Sequence, residues 1–215
     1  MNPRVHYLLE IDAQAFLAAS PSAPEWVAKS LAAAPFVVVR RGFQTQHLVP
    51  VGVRGEERKQ RWAGTCDVSW IRSVLSPDDL ISRVRARVKA IPAMRSLSLL
   101  ASNEAWYGFP QAWGPGGSIG FELATGRDTA TPQSDLDVVI YADERFSAVE
   151  ARRLHAATQF LPSIVDVRVE TPVCGFALTE YASQAPAPIL LRTASGVMLG
   201  VDPWDGAPPT SVSPP

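Results

Sequence analysis

The sequence predicts a mixed α/β protein of the α+β kind, and three observations carry that prediction. Short β-branched runs alternate with helix-like segments along the 215 residues. Hydrophobic residues make up 47% and charged residues 19%, enough apolar material to close a core and too much for a disordered chain. The 19 prolines exceed the usual share of about 5% and exclude long uninterrupted helices, a coiled coil or a simple helical repeat.

The elements follow in chain order. Glu10 and Asp12 interrupt what would have to be the apolar centre of a signal peptide. Pro24 to Ala34 is alanine-rich and helix-like, while Phe36 to Arg40 and His47 to Arg54 are strand-like. Ser76-Pro77-Asp78-Asp79 sets an N-cap serine before a proline and first-turn acids, predicting a helix from Pro77 to about Ala90. Arg83, Arg85, Arg87 and Lys89 give that helix a basic exposed face, and Ile91-Pro92 ends it. Trp106, Tyr107, Phe109 and Trp113 form an aromatic cluster read as core packing, with stacking on an adenine ring as the alternative. A glycine-rich run from Gly114 to Gly120 follows. Leu136 to Ala142 is an apolar strand. Ser147 and Glu150 form a capping box opening a helix to about Phe160, which buries Leu154, Ala157 and Leu161. Ile164 to Thr171 alternates as a strand does, and the tail 205–215 has nothing to bury and is expected to be disordered.

Charge divides the chain more sharply than composition does. Residues 1–95 carry 14 Lys and Arg against 8 Asp and Glu, whereas residues 96–215 carry 6 against 13. The expected organisation is a basic N-terminal domain over 1–95, an acidic domain over 96–204 and the tail. Cys66 and Cys174 belong to no CxxC or Cys/His pattern, so two buried free thiols are expected. The longest apolar runs are strand-sized, which predicts a soluble cytoplasmic protein with no membrane partner. His6, His47 and His155 have no visible partner and are read as surface or packing residues.

Chemistry concentrates in the acidic half. Asp135 and Asp137 open a strand two residues apart and therefore project from one face. Adjacent carboxylates repel each other and become tolerable together around a divalent cation, for which Mg2+ favours such oxygen ligands. Asp166 on the next strand would join them if the two strands pair. Gly117-Ser118 closes a turn whose backbone N–H groups can cradle phosphate oxygens at the start of a helix over 119–125. A phosphate cradle beside metal-binding carboxylates is the equipment of phosphoryl or nucleotidyl transfer.

Gly117-Ser118, Asp135-Leu136-Asp137 and Asp166 together resemble the signature of the polymerase-β-like nucleotidyltransferase superfamily. The stretch Gly117 to Gly126, Ser134 to Asp137, Asp166 to Pro172 and the ending Leu191-Arg192-Thr193 to Asp202-Pro203-Trp204 are similar to the phosphoribosyl-dephospho-CoA transferases of malonate decarboxylase. Pro50 to Gly55 and Arg58 to Arg61 extend the likeness upstream. The resemblance implies a polymerase-β-like catalytic domain behind a smaller basic α/β domain that binds substrate or carrier. It implies transfer of the prosthetic group from triphosphoribosyl-dephospho-CoA to a serine of the malonate decarboxylase acyl carrier protein, with release of pyrophosphate and no nucleic-acid partner. Asp135 and Asp137 would then bind Mg2+, expected as two ions, with Asp166 as third acid and Glu170 as its rival. Gly117, Ser118, Arg54, Arg58 and Arg61 would bind the phosphates or the carrier. Two other readings stand beside it: the same domain acting on another protein or a small molecule, and a non-catalytic nucleotide-binding module.

Overall fold

The computed structural model describes residues 3–57, 59–84, 89–183 and 188–205. Two sheets organise the described chain. The first contains β1 (Leu8–Ile11), β2 (Phe36–Val39), β3 (Leu48–Arg54), β4 (Arg61–Asp67) and β5 (Ile71–Leu75). They lie in the order β4-β3-β2-β1-β5, with every neighbouring pair antiparallel. Helices α1 (Ala13–Ala18) and α2 (Glu25–Ala33) lay Phe16, Val27 and Leu31 on one face, against Leu9, Val37, Val39, Val49, Val51 and Val53. Leu8, Phe36, Val38 and Leu75 point the other way, into the core of the second half. The unbroken run Phe36-Val37-Val38-Val39 thus reflects a strand with apolar partners on both faces.

The second half begins with helices α3 (Pro77–Ile81), α4 (Pro92–Ala101) and α5 (Glu104–Tyr107). Its sheet consists of β6 (Ala112–Pro115), β7 (Leu136–Tyr141), β8 (Val165–Glu170), β9 (Gly175–Ala177), β10 (Ile189–Thr193) and β11 (Gly196–Gly200), in the order β11-β10-β9-β8-β7-β6. The β7–β8 pairing is parallel and the other four are antiparallel. A parallel neighbour requires a crossover. Helix α7 (Ala148–Ala156) supplies it, opened by the expected Ser147–Glu150 capping box and buried through Leu154, with Ala157 and Leu161 partly buried beyond it. Helices α6 (Gly117–Thr125) and α8 (Leu178–Ala182) complete the element order. The expected mixed α/β architecture is present, as is the expected neighbouring of the strands near Leu136 and Ile164. No described helix is long and apolar enough to cross a membrane.

Several expectations change. The capping box at Ser76 forms, but α3 ends at Ile81, where the Ser82 hydroxyl donates to the Asp79 carbonyl and Leu80 is held in the core. Pro92 opens α4 rather than closing a helix, because its missing N–H costs nothing in a first turn. Lys89 does not lie on an exposed basic face: its Nζ donates to Glu122, Asp128 and the Ala130 carbonyl. Arg85, Arg87 and residues 206–215 of the expected tail lie outside the described residues. Cys66 and Cys174 are free and buried, as expected.

The aromatic cluster divides. Trp106 is fully buried, donates from its indole to the Leu154 carbonyl and meets Trp113 edge-on at 4.7 Å. Phe109 packs on Phe146, whereas Tyr107 is exposed. Trp106→Ala should therefore lower stability by about 3–5 kcal/mol, read from urea denaturation, because it empties the centre of the second core.

Candidate active site

The site is built on the parallel pair. Register places Asp137 opposite Asp166, Val139 opposite Arg168 and Tyr141 opposite Glu170, all on one face. Asp135 precedes β7 and is exposed, while Asp137 and Asp166 are half-buried. The glycine-rich turn is bound to the same strand, since the Gly116 N–H donates to the Asp137 carbonyl at 2.9 Å.

Gly117 follows with φ 55°, and a Cβ there would collide with the Asp137 carboxylate. Only glycine meets both demands, a left-handed backbone and an oxygen against its α-carbon. Helix α6 starts at this point with no side-chain cap. The N–H groups of its first turn have no partner within a helix, so anion-binding donors lie beside the carboxylate pair. Ser118 is buried in this turn.

A buried acid, Glu122 of α6, secures the turn from behind. Its Oε2 accepts the N–H groups of Thr129 and Ala130, both at 2.9 Å, and the Lys89 ammonium at 3.3 Å. The Thr129 hydroxyl donates to the Ser118 carbonyl at 2.9 Å. Burial pushes the Glu122 carboxyl up, but those donors outweigh it and hold it below the ordinary glutamate range. The loop that delivers Asp135 is thereby tied to the first turn of α6.

Burial pushes the Asp137 carboxyl up, and the negative charge of Asp166 adds to it. Arg54 and His6 pull it down and Asp135 pushes it up, leaving the net shift upward. Asp137 is the focus of converging like charge, a condition that oxygen-seeking divalent cations relieve. The donor chemistry therefore suits Mg2+. The present arrangement is not a closed cage: Asp166 Oδ2 is held by Arg168 at 2.8 Å, and no group of three or more His, Cys, Asp or Glu among the described residues is gathered for metal.

Arg54 and Arg61 face each other at the turn end of the β3–β4 hairpin, both exposed, and the Arg54 charge reaches Asp137. Arg58 lies outside the described residues. Glu170 stands four residues beyond Asp166, opposite Tyr141, and its carboxylate is engaged by Arg41 and by His6 Nε2 at 3.1 Å.

His6 thus has the partner the sequence hid, 164 residues away, and it is the one described non-glycine residue with positive φ, at 72°. Arg4 pairs with Asp143 at 2.8 Å, and the Tyr141 hydroxyl donates to the Val5 carbonyl, closing the seam between the halves. His47 is exposed, and the His155 ring meets the Gln159 side-chain amide at 3.3 Å, so both keep their surface reading.

The family model described as the phosphoribosyl-dephospho-CoA transferase MdcG C-terminal domain matches residues 79–203, and the N-terminal-domain model matches 4–77. This chain belongs to the phosphoribosyl-dephospho-CoA transferase family. A phosphoribosyl-dephospho-CoA transferase of Pseudomonas aeruginosa is 37% identical over 203 residues, covering 94% of each chain. One of Klebsiella pneumoniae is 35% identical over 207 residues, covering 94% of this chain and 97% of the relative. One of Pseudomonas fluorescens is 36% identical over 184 residues, covering 85% and 86%. No solved structure matches the chain.

Neutralising Asp137 removes a charge that burial and its neighbours disfavour. A raised carboxyl costs stability above the unfolded aspartate pKa, so Asp137→Asn should raise the metal-free Tm at neutral pH. Added Mg2+ should raise the wild-type Tm and leave that of the variant unmoved in differential scanning fluorimetry. Gly117→Ala should lower stability by at least about 1 kcal/mol through left-handed strain alone, with the Asp137 collision added to it.

Proposed function

We propose that this chain is a nucleotidyltransferase with a polymerase-β-like catalytic domain. It moves the phosphoribosyl-dephospho-CoA group from its triphosphate precursor to a serine of the malonate decarboxylase acyl carrier protein. One observation carries the reading: Asp137 and Asp166 face each other beside the uncapped start of α6 in a chain of this family. The curated relatives' name supports the group transferred.

Mg2+ held by Asp135, Asp137 and, once Arg168 lets go, Asp166 would supply charge neutralisation at the attacked phosphorus. The chain's own groups perform the remaining tasks. The first-turn N–H groups of Gly117 and Ser118 hold the departing pyrophosphate, and Arg54 and Arg61 reach from the first sheet toward the substrate phosphates or the acidic carrier. Arg58 joins them in this reading.

The carrier serine oxygen bonds to the phosphorus nearest the ribose while the bond from that phosphorus to the pyrophosphate oxygen breaks. Asp166 takes the hydroxyl proton. Among the described residues no Ser-His-Asp arrangement is present to activate a nucleophile of the enzyme's own, so transfer is a single displacement with no covalent enzyme intermediate.

Asp135→Ala should eliminate pyrophosphate release in the presence of carrier. Ser118→Ala should reduce it by less than about a hundredfold, because the backbone donors survive. Mass spectrometry after incubation with the triphosphate precursor alone should find the enzyme unmodified. A phosphoribosyl-linked enzyme would replace this scheme by a two-step one. Equal turnover with and without carrier would favour a small-molecule acceptor.

A further inference from the structure

The second sheet carries a polar row, covered by Arg41, whose role the transfer scheme leaves unassigned. Glu170 pairs with Gly175, and Gly175 pairs with Arg192, both across antiparallel strands. Directly opposed residues share a face, so Glu170, Gly175 and Arg192 lie side by side on the face that bears Asp137 and Asp166. A Cβ on Gly175 would strike Arg41 Nη2 and crowd Glu170 Oε1. The space above Gly175 is therefore filled by a guanidinium that arrives from the first sheet. Arg41 thus lies over Gly175, between Glu170 on one neighbouring strand and Arg192 on the other, and the buried Glu170 carboxylate is already bonded to Arg41 and His6. Arg192 Nη1 is buried and meets no hydrogen-bond partner among the described residues.

A guanidinium nitrogen buried without a hydrogen bond, on the strand next to the one that Arg41 covers, is costly, and an anion relieves that cost and the like charge of the two arginines. Two arginines offer forked donors that match phosphate oxygens. We propose that Arg192 and Arg41, set over Gly175 and steadied by Glu170, form a second phosphate subsite that takes the diphosphate of the nucleotide substrate. The inference rests on the transfer reading and deepens it. Four residues along the strands span about 13 Å and three strand spacings about 14 Å, so this subsite is remote from Asp137. It is too distant for the phosphates that react and suits a second phosphate group on the same extended molecule. Arg192 is then a residue that fixes where the substrate lies and takes no part in the displacement.

The test uses the full chain with Arg192→Gln and Arg192→Lys. Calorimetric titration with dephospho-CoA, which bears the diphosphate and no triphosphate, should show at least tenfold weaker binding for Arg192→Gln and partial recovery for Arg192→Lys. Inorganic pyrophosphate should bind both variants as it binds the wild type. The KM for the triphosphate precursor should rise by the same factor as the dephospho-CoA dissociation constant, with kcat within twofold. Unchanged dephospho-CoA affinity in a folded Arg192→Gln protein would overturn the subsite. Equal weakening of dephospho-CoA and inorganic pyrophosphate would overturn its assignment to the substrate diphosphate and make it a free-pyrophosphate site. The titration needs no turnover, so failure of the subsite is separable from failure of the transfer reading.

Discussion

The parallel register between β7 and β8 is the constraint from which the rest of the site follows. Shifting one strand by a single residue would turn Asp166 to the opposite face and set Val165 or Val167 against Asp137. In the observed register the two acids are opposed, and the same face continues through Arg168 to Glu170. Val138, Ile140, Val167 and Val169 point the other way into the main core, so burial of these side chains holds the acids in place. The energy that fixes the carboxylates is thus hydrophobic, while the carboxylates themselves oppose the arrangement.

Much of this was legible from local pattern. The apolar run after Asp137, the Ser147–Glu150 box and the alternation around Asp166 are short-range signals, and each produced the element it implied. The ends of α3 and α7 were less legible, since both helices stop before the last residue that the pattern would allow. There tertiary anchoring of Leu80 and the turn after Ala156 overrides helix propensity.

What no local pattern carries is pairing at a distance. Lys89 reads as one more base on a basic face, yet it answers a buried acid 33 residues on. His6 reads as an isolated histidine, and Arg41 sits in no motif, yet both converge on Glu170. Glu170 and Asp166 share a strand face, which made them rivals for one role. Four residues of strand separate them, and Arg41 and His6, which flank the strands of the first sheet, engage Glu170 at a different station. The charge split between halves was visible in the sequence, while its meaning as a seam of opposite signs depended on the fold.

That seam has a consequence for how the chain matures on the ribosome. The side-chain contacts of Arg4 and His6 join residues separated by 139 and 164 positions, and Arg41 reaches across 129. Contacts of such sequence separation form late, because the closure entropy of the long loop precedes any gain from the contact. The first sheet is synthesised before β8 exists and must wait with its cations exposed and the apolar face bearing Phe36 and Val38 uncovered. The basic half is thus a sticky intermediate until the acidic half arrives, and slow translation beyond β5 would lengthen that exposure.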